Sequence, residues 1–108
     1  MTDYPDPHNL IFSHYHSNGA VGGAQGEGFI EFAQKNLNNQ IEAAIVETDP
    51  DIRQNMYESI QKLAYEHALG IPLYQPIDIF LMKKWVKGWE FNPMQCGEAN
   101  YDEIYKEE

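Results

Sequence analysis

The chain has 108 residues, which is enough for one small domain with a single hydrophobic core. Seventeen acidic residues against seven basic ones give a formal net charge of −10. This balance argues against nucleic acid as a partner, since phosphate backbones are bound by clustered Lys and Arg. No apolar run approaches the ~18 residues of a membrane span. The acidic start MTDYPDPHN is unlike a signal peptide. Cys96 is the single cysteine, so an internal disulfide is excluded.

Residues 1–30 are predicted to be rich in loops. Pro5, Pro7 and five of the eight glycines interrupt residues 1–28, and neither a helical nor a strand period runs through them. An aspartate beside a proline, as in Asp6-Pro7, is typical of a turn. We therefore expect a long loop, of the kind that is generally functional or covered by a neighbouring part of a protein.

Residues 31–70 are predicted to be helical, beginning with a first helix over residues 35–47. Its apolar positions fall at helical spacing and form one stripe on a polar segment. Those positions are Leu37, Ile41, Ala44 and Ile45. Phe29 and Phe32 would extend this helix or precede it.

The second helix is predicted over residues 50–68. Asp49 suits the N-cap and Pro50 the first helical position, while Gly70 is the expected stop. Glu58 and Lys62 have the spacing of an i,i+4 ion pair. One apolar face is expected from Ile52, Met56, Ile60, Leu63, Ala64 and His67.

Residues 71–93 are predicted to form short strands, followed by an acidic tail over 94–108 with a weakly helical last turn. Residues 71–75 suit an edge strand, 77–83 a strand that is apolar on both faces, and 86–91 a third extended piece. The fold class is thus α+β, with two main helices followed by short strands. Two helical stripes cover only one face of such a sheet. We therefore expect either a homo-oligomer or a piece of a larger protein.

Four stretches together carry a family resemblance. They are DYPDPHN at 3–9, ETDPDIRQNMYESIQKLAYEHA at 47–68, IPLYQP at 71–76 and VKGWEFNP at 86–93. Their order and spacing resemble the carboxy-terminal end of extracellular solute-binding proteins of family 5. These are the peptide-, dipeptide- and nickel-binding receptors of ABC importers. The resemblance implies the C-terminal part of a two-lobed, periplasmic-binding-protein-like fold of type II that closes around an extended peptide.

The resemblance also implies a function. The intact receptor would deliver a peptide, or a related small solute, to the membrane subunits of an ABC transporter, at an extracytoplasmic location and without enzymatic activity or a cofactor. Asp3 matches the aspartate that binds the amino group of the peptide in the intact receptor. The tryptophan that the family places three residues earlier would precede Met1. Gln34 departs from the asparagine that the family commonly has at the start of the first helix, and Asn38 departs from the aspartate within that helix.

Two other functions stay open from the residues themselves. His8, His14 and His16 are weak candidates for a metal site, although loop histidines are more often simply exposed. A small histidine-based metal-binding protein is therefore one alternative. A stand-alone acidic interaction module that dimerises through its apolar strands is the other. Cys96 has no recognisable catalytic partner, and Trp85 and Trp89 are expected in the core.

Overall fold

The computed structural model describes residues 4–75, 77, 79–92 and 101–107. The chain divides into two units, residues 6–72 and the remainder before and after them. Among the described residues, no helix combines the length and the apolar character that crossing a bilayer would need. Each unit has its own secondary structure.

The first helix, α1, spans Pro7–Tyr15 and lies inside the segment that was expected to be a loop, so that prediction is wrong. The side chain of Asp6 is the N-cap and accepts a 2.8 Å hydrogen bond from the backbone N–H of His8. Pro7 takes the first helical position, where its missing N–H costs nothing. The Asp-Pro pair therefore starts a helix here rather than a turn.

The glycine-rich segment after α1 folds back onto that helix. Val21 N–H donates to the carbonyl of Ser13 at 3.0 Å, and a short 3-10 helix covers Gly22–Ala24. A Cβ on Gly22 would lie 2.4 Å from the carbonyl oxygen of His16, so only glycine allows this close backbone approach. The segment is compact and hydrogen-bonded, contrary to the expected structureless loop.

The predicted first helix is replaced by two helices, α2 at Glu27–Asn36 and α3 at Asn38–Val46. The break is at Leu37, whose φ of −116° departs from helical geometry while its N–H still donates to the carbonyl of Ala33. Phe29 and Phe32 lie on α2. Helix α3 packs against α1, α2 and α4, and so occupies the centre of the bundle.

Helix α4 spans Pro50–Glu66 and confirms the predicted second helix and its start. The carboxylate of Asp49 accepts from the backbone N–H groups of Asp51 and Ile52, both at 3.0 Å. Ala68, with φ of 51°, takes the left-handed position at the end of the helix, so the assignment of Gly70 as the stop is wrong.

Two hydrogen bonds complete the C-terminal cap of α4. Leu69 N–H donates to the Ala64 carbonyl at 2.9 Å, and Ala68 N–H donates to the Tyr65 carbonyl at 3.0 Å. This pair of bonds defines a Schellman motif. The ion pair on the exposed side of α4 joins Lys62 to Glu66 at 3.9 Å, rather than to Glu58 as expected.

Among the described residues, the buried hydrophobic side chains lie between residues 11 and 64. They are Ile11, Ala33, Leu37, Ile41, Ala44, Tyr57, Ile60 and Ala64. The predicted stripes are confirmed at the central positions of α3 and α4, but Ile45 and Ile52 are half exposed and His67 is exposed. The ring of His67 instead contacts that of Phe32, with centroids 4.7 Å apart.

The second unit contains a two-stranded antiparallel sheet, with β1 at Val86–Lys87 and β2 at Tyr105–Lys106. Val86 pairs with Lys106, and Lys87 pairs with Tyr105. The tail therefore supplies a strand, preceded by a 3-10 turn at Tyr101–Glu103, where a helical end was expected.

The predicted strands at 71–75 and 77–83 are wrong, because the described residues of both segments have no strand pairing. Trp85 is 48% exposed, so the expectation that it is a core residue is also wrong. Trp89 contacts Phe80 with ring centroids 4.8 Å apart.

Four helices and a small sheet among the described residues are compatible with the α+β class, with helices predominating.

Candidate functional site

A groove of about 690 Å³ lies on the surface of the 6–72 unit, and we call it the Tyr15–Tyr65 groove. Its volume is within the ~300–1,000 Å³ range of ligand pockets. One wall comes from the end of α1 and the glycine-rich segment, and the other from the last turns of α4 and the chain that leaves it. The lining residues are His14, Tyr15, Val21, Gln25, Gln61, Lys62, Tyr65, Leu69, Gly70, Ile71 and Pro72.

Local structure explains why these side chains share a groove. Gln61, Tyr65 and Leu69 follow one another at intervals of four residues, which places the first two on one face of α4. The left-handed Ala68 then turns the backbone, so that Ile71 and Pro72 run back along this face instead of continuing the helix.

The charge at the groove differs from that of the rest of the unit. Residues 6–72 contain nine acidic residues, and none of them lines the groove. Of the three basic residues in the same range, Lys35, Arg53 and Lys62, only Lys62 does. The 3.9 Å distance to Glu66 and the high exposure of both side chains make that ion pair weak. The groove thus combines apolar walls with one ammonium group.

Histidine and tyrosine side chains supply further polar atoms at the groove. Nδ1 of His14 lies 3.0 Å from the carbonyl of Leu10. A carbonyl only accepts, so Nδ1 is the protonated nitrogen and Nε2 is the acceptor in the neutral ring. The hydroxyls of Tyr15 and Tyr65 can donate to an anionic group. The arrangement can hold a ligand but contains no nucleophile paired with a base.

A second cluster joins three helices through Arg53 on α4. One guanidinium nitrogen, Nη2, donates to both carboxylate oxygens of Asp6, at 2.9 and 3.0 Å, and to the Tyr57 hydroxyl at 3.3 Å. Nε donates to the Ala44 carbonyl at 3.2 Å. The hydrogen bond from Arg53 lowers the pKa of Asp6, and the same bond raises the pKa of Arg53. Nε and Nη2 of Arg53 are thus engaged within the protein and tie α1, α3 and α4 together, which is a structural role.

The three histidines proposed as weak metal candidates do not form a common site. His14 bonds to its own helix, while the buried ring of His16 donates from Nε2 to Glu42 at 3.2 Å and accepts at Nδ1 from the N–H of Asn18. Nδ1 of His8 is buried without a hydrogen-bond partner, and burial lowers the pKa of this ring. Within the described ranges, no three His, Cys, Asp or Glu side chains are grouped closely enough to hold a metal ion.

Other predicted positions fall in different places. Asp3 and Cys96 lie outside the described residues. Asn38 exchanges two hydrogen bonds with Ser17: the side-chain oxygen accepts from Ser17 N–H at 3.1 Å, and Nδ2 donates to Oγ at 2.7 Å. This residue therefore holds the glycine-rich segment against α3 instead of capping its own helix.

Sequence reasoning missed both the groove and the Arg53 cluster. The i,i+4 spacing of Arg53 and Tyr57 is a usable signal, because it places a guanidinium 4.9 Å above an aromatic ring on one helix face. No comparable local signal joins Tyr15 to Tyr65, since the two residues belong to different helices.

Comparison with known proteins does not identify the chain. No protein-family model matches it, and neither does a curated protein or a solved structure.

Proposed function

We propose that this chain is the carboxy-terminal part of a solute-binding protein that delivers peptides, or a related small solute, to an ABC importer. The proposal rests on the succession of stretches from DYPDPHN to VKGWEFNP, in the order and spacing that resemble family 5 receptors. In such a receptor, the two-lobed, type II periplasmic-binding-protein-like fold would be completed by further chain. The role would be binding, with no bond made or broken.

The observation that supports this proposal most strongly is the exposure of the apolar segment after Gly70. Six aliphatic or aromatic side chains in it are at least 79% exposed: Ile71, Leu73, Tyr74, Ile77, Ile79 and Leu81. A run of this kind is costly in water, and contiguous exposed apolar surface usually marks an interface. Further receptor chain packed on this segment would bury these six side chains and could pair with the backbone of the described residues, which form no strand pairs.

Asp3 is the proposed binding residue for the ligand in the intact receptor. An ionised carboxylate close to prolines, whose rings restrict the backbone, forms a charge-assisted hydrogen bond with an ammonium group at little cost in ordering. A free peptide amino terminus provides such a group. Asp6, three residues further on, is engaged with Arg53 and so is unsuited to the same role.

The test uses the protein encoded by the complete reading frame that contains these residues, with calorimetry against a mixture of di- to pentapeptides. We expect Asp3→Asn to weaken binding by about 10-fold or more, which corresponds to the loss of one charged hydrogen bond. Asp51→Asn, a matched change on the exposed first turn of α4, should leave binding unchanged. Amino-acetylated peptides should bind weakly, and equally to both variants. Equal affinity of the unmodified peptides for the Asp3 variant and the unaltered protein would contradict the role of Asp3, and no peptide binding at all would contradict the function.

The same exposed segment favours one rival function, an acidic module that dimerises through its apolar surface. As an isolated chain, the protein is expected to self-associate through residues such as Ile79 and Leu81, because these side chains are 79% and 92% exposed. Sedimentation of the 108-residue chain beside the full reading-frame product separates the two functions. A monomeric longer product with these residues covered supports the receptor, whereas a reading frame restricted to these residues and a stable dimer supports the module.

A further inference from the structure

We propose that the Tyr15–Tyr65 groove binds a small monocarboxylate with an apolar body, with Lys62 as the cation that meets the carboxylate. The inference is argued from residues 6–72 alone, and it applies to the 108-residue chain, in which Ile71 is exposed. The occupant of the groove is defined by charge and by the chemistry of the walls.

The charge of the lining residues favours an anionic ligand. A chain with a net charge of −10 repels anions over most of its surface. The groove is an exception, since none of the nine acidic side chains in residues 6–72 lines it and Lys62 does. An anionic ligand head is therefore compatible with this part of the unit, whereas a cationic head would find no carboxylate among the lining residues to pair with.

The walls of the groove favour a ligand with an apolar body. Tyr15, Leu69 and Ile71 present rings and aliphatic groups to the groove, and its volume of about 690 Å³ accommodates an aryl or branched alkyl body. Tyrosine hydroxyls add donors that a carboxylate accepts and a neutral hydrocarbon does not use. A ligand with one anionic end and one apolar end satisfies both features, while an inorganic anion would leave the apolar walls in contact with water.

The neighbouring Glu66 makes the proposal specific to Lys62. Its carboxylate lies 3.9 Å from the Lys62 ammonium and competes with a ligand for it. Removal of the Glu66 charge should therefore strengthen ligand binding, whereas removal of the Lys62 charge should weaken it. Opposite effects from two residues one helical turn apart would not arise from a general loss of helix stability.

The experiment is an NMR titration of the full 108-residue chain with 3-phenylpropionate, using 3-phenylpropionamide as the neutral analogue. We expect a Kd on the order of 1 mM, with shift changes confined to the residues that line the groove. Lys62→Met keeps the apolar stem and should weaken binding by about threefold, and Glu66→Gln should strengthen it by about twofold. Lys35→Met and Glu31→Gln, exposed positions on α2, are the matched controls and should change nothing.

Each other outcome overturns the inference. Equal shift changes with the amide would show that the carboxylate is not recognised. Shift changes centred on residues 73–82 would show that the ligand only adheres to exposed apolar chain. No response at concentrations up to about ten times the expected Kd would show that the groove takes no such ligand. Amide spectra of each variant establish that it is folded, so a failure to fold is not mistaken for a failure to bind.

Discussion

Residues 6–72 and the described part of residues 73–107 are both rich in apolar side chains, but of these two sets only the first buries them. In the first unit, three helices pack around α3, and Leu37, Ile41 and Ile60 are fully buried. Among the described residues from 73 onward none is buried, and Leu81 is 92% exposed. Apolar content alone therefore does not make a core. The first unit has helices with apolar stripes that face one another, whereas the described residues of the second form a pair of two-residue strands and one 3-10 turn.

The largest expected effect is on the free energy of unfolding, when the same substitution of leucine by alanine is made in each unit. Leu37→Ala should destabilise the chain by about 2–5 kcal/mol, because it leaves a cavity at a residue with 0% exposure. Leu81→Ala, at 92% exposure, should change the free energy of unfolding by no more than about 0.5 kcal/mol. Urea denaturation of dilute, monomeric protein measures both values. Similar losses for the two variants would mean that Leu81 belongs to a core.

The next effect concerns the close backbone approach at Gly22. Gly22→Ala places a Cβ against the His16 carbonyl and should cost about 2 kcal/mol, since backbone has to move. Gly28→Ala is the control: a Cβ there meets nothing within 4 Å, and alanine should stabilise the first turn of α2 by about 0.5 kcal/mol. Thermal unfolding of both variants tests the difference. A harmless Gly22 substitution would show that the glycine-rich segment is not held against α1.

A smaller, pH-dependent effect is expected from Asp6. Asp6→Asn keeps a capping side chain but removes the ion pair with Arg53, and should cost about 1 kcal/mol at neutral pH. The pKa of Asp6 is lower in the folded than in the unfolded chain, so its contribution is complete above the unfolded pKa of about 3.9 and is lost as the pH falls through the folded value.

Unfolding measured across pH tests this sign. The gap in stability between the unaltered chain and Asp6→Asn should close in acid, while Glu31→Gln on α2 should show no comparable gap at neutral pH. A gap that stays constant from neutral pH to about pH 2, well below the ordinary pKa of an aspartate, would contradict the ion-pair account.

The smallest effect is a gain in stability. Ala68 has a φ of 51°, a conformation that costs a non-glycine residue about 1–2 kcal/mol. Ala68→Gly relieves this cost but adds unfolded-chain entropy worth about 0.4–1 kcal/mol, so we expect a net stabilisation of about 0.5 kcal/mol. Ala43→Gly, in the exposed middle of α3, should destabilise by about 1 kcal/mol. Calorimetric unfolding that gives the same sign for both variants would contradict the Schellman cap.

The two Asp-Pro pairs show how far sequence reasoning reaches. Asp49-Pro50 precedes a long helical stripe, and its helix was predicted with the correct first residue. Asp6-Pro7 starts a helix by the same chemistry, but glycines soon follow and α1 has only nine residues. The apolar spacing of Ile11, Phe12 and Tyr15 was the signal that would have identified it. Short helices are set by packing more than by propensity, which a single sequence does not display.

The errors in the second unit have a different cause. Alternating apolar residues at 77–83 are typical of a strand that is buried on both faces, but such a strand needs neighbours on both edges. The described residues provide none at that position. The groove was missed for a related reason, because only tertiary packing brings Tyr15 and Tyr65 to the same groove. Local capping chemistry was thus predictable, and long-range pairing was not.

The central claim is that residues 6–72 contain the hydrophobic core, whereas the apolar side chains of the described residues from 73 onward are exposed to solvent. Hydrogen exchange of the isolated chain at low concentration tests this claim most directly. We expect slow exchange for amides of α3 and α4 around Leu37 and Ile60, and exchange near the rate of an unstructured peptide for residues 73–75 and 79–83. Protection of residues 77–83 equal to that of α3, in a chain shown to be monomeric, would contradict the account.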